Sequence, residues 1–188
     1  MTLRLSLAKN DPLQTTFFCP ERAIHYTTDT VPRNEPSCGR KATTTVKKNI
    51  VGESHHVGII EWPVNPGDRP AVVMGSKTIE MIKTGLLTSP EKFQASDGKW
   101  YEWQIHDYRA KLVPLKGAHS QACIATFVPP LKQTLFKREP AALQILLEAA
   151  HILDDIIVTF IYFETQWREK ERARSRSWDT GYAAGPTF

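Results

Sequence analysis

Leu3, Leu5 and Leu7 alternate with the polar Arg4 and Ser6. A period of two sends alternate side chains to opposite faces of an extended chain, so the run predicts a half-buried strand. The signal recurs to about residue 140. Residues 15–18 and 23–27 are rich in β-branched and aromatic side chains, as are 41–50 and 56–62. A loop is expected over 31–39, and three prolines and a glycine break the pattern over 63–70. Residues 71–74 and 77–82 predict a hairpin around Gly75-Ser76. Residues 92–105 predict another around Asp97-Gly98, a dipeptide that readily takes the positive φ of a tight turn. Strands are also expected over 109–115, 123–128 and 143–147.

From about Glu148 the period becomes helical. Ile152, Leu153, Ile156, Ile157, Phe160, Ile161 and Tyr162 follow helical spacing, and Val158 and Phe163 fill the other face. A helix apolar all round must be buried. Asp154, Asp155 and Thr159 interrupt the run, which falls short of the ~20 residues that span a bilayer. The economical solution is an antiparallel β-barrel closed around this C-terminal helix, which satisfies every face of the helix and leaves no sheet edge. One mainly β (α+β) domain over 1–174 is expected, with its helix at about 149–174 and a flexible tail over 175–188.

Three stretches resemble a known family. The run 153–162, continuing into Trp167-Arg168-Glu169-Lys170-Glu171, is similar to the C-terminal signature of a large fungal family of uncharacterised proteins. The hairpin 97–103 and the strand Gly58-Ile59-Ile60-Glu61-Trp62 are similar to its middle section. That family is placed in a wider tubby-like group with phospholipid scramblases and LURP-one-related proteins. The resemblance implies a barrel around a central hydrophobic helix. Tubby domains bind phosphoinositides, but their lipid-contacting residues do not map onto positions here.

Composition changes this picture little. The 188 residues suit one domain, and a net charge of +4 spread along the chain is ordinary surface chemistry. Cys19, Cys38 and Cys123 are odd in number, widely spaced and free of a Cys-x-x-Cys motif. That usage, with no apolar signal-peptide core at the N-terminus, suits free thiols in the cytoplasm.

Candidate chemistry is sparse. His55 and His56 are possible metal ligands, but neighbours on a strand face opposite ways, so no metal is expected. His151 and Asp155 stand four apart on the helix. Asp154 and Asp155 are read as complementing the helix dipole or accepting loop amides. No nucleophile motif surrounds Cys19 or Cys123, and Cys123 is read as core filling. No Gly-rich phosphate loop occurs, and no cofactor or nucleic acid is expected. Trp100 and Glu102 share one face of their strand and Tyr101 and Trp103 the other, an arrangement read as packing and not as a stacking platform. The basic residues 168–176 alternate with Glu169 and Glu171 and are read as a solvated helix end. Lys41, Lys47, Lys48, Lys132, Lys137 and Arg138 are the candidate contacts for an anionic ligand if their strands converge. The functional reading is a non-enzymatic module that binds a protein or an anionic phospholipid headgroup. The alternative is a small hydrolase or transferase with a loop-built site.

Overall fold

A computed structural model describes residues 1–19, 23–33, 39–65, 67–85, 90–115, 122–130 and 139–181. The first half of the chain forms β1 (Thr2–Leu7), β2 (Thr16–Phe18), β3 (Ile24–Pro32), β4 (Arg40–Ile50), β5 (Glu53–Pro63), β6 (Ala71–Met74) and β7 (Lys77–Ile79). The second half forms β8 (Ile82–Lys83), β9 (Glu91–Gln94), β10 (Trp100–His106), β11 (Arg109–Pro114), β12 (Ala125–Val128) and β13 (Ala142–Leu146). A 3-10 turn over Leu147–Ile152 leads into the helix α1 (Leu153–Gly181).

All the strands join one antiparallel sheet in the order β7-β6-β5-β4-β3-β2-β1-β13-β12-β11-β10-β9-β8. Apart from β7 and β8, each strand pairs with its neighbour in sequence, and β1 also pairs with β13. The two ends of the sheet, β7 and β8, are therefore consecutive in the chain, with only Glu80 and Met81 between them. No ladder joins them among the described residues, so the expected closed barrel is corrected to a sheet that stays open at one seam. The run 77–82 is likewise two strands on opposite ends of the sheet. Glu80-Met81 breaks it because Met81 turns inward and is buried. Its carbonyl accepts a hydrogen bond from Arg69 Nη1 at 3.1 Å.

The sheet wraps the helix. Ile156, Ile157, Phe160 and Ile161 are each 0% exposed, as the helical period requires. The Phe160 ring lies 6.1 Å from Phe17 of β2, 5.7 Å from Trp103 of β10 and 5.3 Å from Phe127 of β12. Tyr162 stacks on Trp62 of β5. Within this core Trp103 Nε1 donates to Thr159 Oγ1 at 3.0 Å, and that hydroxyl donates to the Asp155 carbonyl. Tyr101 and Trp103 are the inward face of β10, as alternation predicts, and Trp100 carries Lys92 over its ring. At Gly58 the sheet and helix approach so closely that a Cβ would lie 2.9 Å from the Val73 carbonyl and 3.2 Å from Val158 Cγ2.

The helix continues past Arg174, its expected end, to Gly181. Arg174 pairs with Glu171, and Ser175 Oγ donates to the Glu171 carbonyl one turn back. β3 also runs further than expected, to Pro32. Among the described residues no helix is long and apolar enough to cross a membrane.

Candidate functional site

Carboxylates pin the head of the helix to the sheet. Asp155, 3% exposed, accepts from the Ser96 amide at 3.0 Å and the Ser96 hydroxyl at 2.6 Å. This is the loop-amide role read from the sequence. Asp154 accepts from the Tyr26 hydroxyl and pairs with Lys48 Nζ at 2.8 Å. Burial, with the Asp154 hydrogen bond and charge behind it, pushes the Tyr26 hydroxyl far above its ordinary range. His151 meets Asp97, not Asp155: its Nε2 lies 3.2 Å from Asp97 Oδ2, and its Nδ1 donates to the Glu148 carbonyl at 2.8 Å.

Burial alone would raise the Asp97 carboxyl, but the Lys99 amide, His151, the Tyr101 hydroxyl and the Lys99 ammonium outweigh it and hold it at about 2. The same contact works in reverse on Tyr101, whose hydroxyl is pushed up to about 12 by burial first and then by Asp97. A carboxyl held below its ordinary value of 3.8 stabilises the fold above that pH, and the contribution is lost as pH falls through about 2. Asp97→Asn is expected to be less stable than the parent near neutrality. In urea denaturation at stepped pH, the difference should shrink between pH 4 and pH 2; a constant difference would refute the assignment.

Around this network lies an open cleft of about 520 Å³. His55 and His56 both line it, but their register partners are Lys48 and Lys47, so the two side chains leave β5 on opposite faces as alternation predicts. A β-bulge follows at the next residue. Val46 pairs with Gly58 but Lys47 pairs with His56, so Val57 has no opposite number and the alternation of β5 slips by one. Among the described residues no three His, Cys, Asp or Glu groups come together as a metal site.

The candidate lysines of β4 do not gather. Lys41 and Lys48 are seven residues apart on one strand, roughly 23 Å at the usual rise. Lys41 lines a separate groove of about 260 Å³ with Trp62 and Glu169, Lys47 is exposed, and Lys48 gives one N–H to Asp154. Lys132, Lys137 and Arg138 lie outside the described residues, as does Cys38. Cys19 and Cys123 are free thiols; Cys19 is buried, whereas Cys123 is only half-buried.

A different set of cations meets at the open seam. Lys83 of β8 is the register partner of Glu91, and Glu91, 1% exposed, accepts from the Tyr162 hydroxyl at 3.0 Å. Two turns beyond Tyr162 on the helix stands Lys170, half-buried, and one turn further stands Arg174. Burial lowers the Lys170 pKa, Glu91 opposes this, and the nearby charges of Lys83, Arg174 and Arg69 lower it further. Glu171 pairs with Arg174, and Glu80 is exposed beside Met81. Lys83 and Lys170 have no acidic partner within ion-pair distance among the described residues.

The basic stretch 168–176 is thus more than a solvated end. Arg168 reaches Glu164 at 2.8 Å, donates to Asn10 and lies over the Phe127 ring. Burial raises the Glu164 carboxyl despite this partner. In sequence, only the four-residue step from Lys170 to Arg174 hinted at a basic face, because Arg69 and Lys83 come from unrelated segments.

The profile of the Family of unknown function (DUF6593) matches residues 10–169, most of the wrapped sheet and the buried part of the helix. The chain belongs to that family. Comparison with curated proteins and with solved structures finds no match. Membership in DUF6593 fixes no activity for the chain.

Proposed function

We infer that this chain is a non-enzymatic binding module whose basic seam takes an anionic phospholipid headgroup. The observation that carries the reading is the meeting of Arg69, Lys83, Lys170 and Arg174, from three separate elements, where the sheet fails to close. A strand order whose two ends are consecutive in the chain supports a tubby-like architecture, a barrel around a helix opened at one place. The free thiols of Cys19 and Cys123 support a reducing, cytoplasmic setting. The hydrolase or transferase alternative draws less support: the Ser96 hydroxyl is committed to Asp155, and both His151 nitrogens have partners.

Each cation at an anionic surface contributes about 1 kcal/mol, so four of them give useful, salt-sensitive binding. Liposome sedimentation with and without phosphoinositide, at low and physiological salt, tests this. Binding that requires the anionic lipid, weakens with salt and falls at least tenfold in Lys83→Glu/Lys170→Glu is expected. Equal and negligible binding to both liposomes would remove the lipid reading and leave a protein partner as the default.

A further inference from the structure

The cleft at the head of the helix lies apart from the basic seam and is built differently. Its floor is apolar, from Ile50, Val57 and Met74, and its rim carries Lys48, His55, His56 and His151. A volume of about 520 Å³ with an apolar floor and a few polar groups matches sites that bury a small molecule, which run about 300–1,000 Å³. The bulge at Val57 leaves that side chain buried beside Gly58, and the regular pairing before it sets His55 on the same face as Lys48.

The polar groups sort by what they still offer. The acidic groups are occupied: Asp155 by two donors from Ser96, Asp154 by Tyr26 and Lys48, Asp97 by His151, Tyr101 and Lys99. What remains is mainly donor capacity. His55 has only Glu53 at 3.5 Å, and the Lys48 ammonium, with one N–H given to Asp154, has two left. An imidazole and an ammonium above an apolar floor complement a ligand with a hydrocarbon body and an anionic head. We propose that this cleft binds a small amphipathic carboxylate, its chain against Ile50, Val57 and Met74 and its head between His55 and Lys48.

The test is an amide-resolved NMR titration of the intact protein with sodium octanoate, with 1-octanol as the neutral control. Saturable shifts confined to residues 48–57, 74–75 and 150–155 are expected for octanoate, with at least tenfold weaker response to octanol. His55→Ala, which removes an exposed side chain whose partner Glu53 is itself exposed, should weaken octanoate about tenfold, the scale of a hydrogen bond to a charged group. Met74→Trp should fill the floor and abolish binding. Lys83→Glu/Lys170→Glu should leave octanoate binding unchanged, so failure here is distinguishable from failure at the seam. Equal response to octanoate and octanol would overturn the anionic head. Absence of saturable shifts in the cleft, or indifference to Met74→Trp, would overturn the site.

Discussion

Phe160→Ala is expected to lower the unfolding free energy by about 3–5 kcal/mol, the range for removing a fully buried aromatic ring. The ring is 0% exposed and packs against Phe17, Trp103 and Phe127, which belong to strands far apart in the sheet. Three walls from three strands cannot close on the vacated space together without straining a ladder that runs unbroken from β2 through β1 and β13 to β10. The cavity therefore persists, and its cost adds to the lost transfer free energy. Since a domain of this kind has only about 5–15 kcal/mol to lose, the variant should unfold at a much lower urea concentration with little change in slope. A loss under about 1 kcal/mol would mean that Phe160 does not tie these strands together.

The helix was legible because its signal is composition on every face. Ile156, Val158 and Phe160 cannot all turn inward from a surface helix, so the period and the all-round apolarity together demand enclosure. The Asp97-Gly98 hairpin was legible for a local reason: Gly98 takes φ of 77° and the Asp97 carboxylate accepts the Lys99 amide. Other turns hid. Val51-Gly52 and Asp107-Tyr108 also adopt positive φ, yet valine and tyrosine are poor residues for it and give no warning.

The seam hid for a different reason. Whether β7 and β8 join depends on how far the sheet has turned by its thirteenth strand, a global quantity that no short window of sequence carries. The bulge at Val57 arises from register between two strands, which no local pattern along β5 announces. The candidate lysines failed to converge because β4 is long enough to carry Lys41 and Lys48 to opposite ends. The cations at the seam come from a loop, an edge strand and the helix, and only the folded chain brings them near one another.

An open sheet that encloses the helix should unfold together with it. Native-state hydrogen exchange tests this most directly, because each backbone amide reports the smallest opening that exposes it. From 156 to 163 every residue is 2% exposed or less, and the helix is held at Asp154 and Asp155 and by Tyr162 and Arg168. Amides 157–163 are expected to exchange only through global unfolding, with the same free energy as denaturation and as the amides of β1 and β13. Exchange of those helical amides several kcal/mol more easily than the amides of β1 and β13 would mean that the helix leaves the sheet on its own, and would contradict joint unfolding.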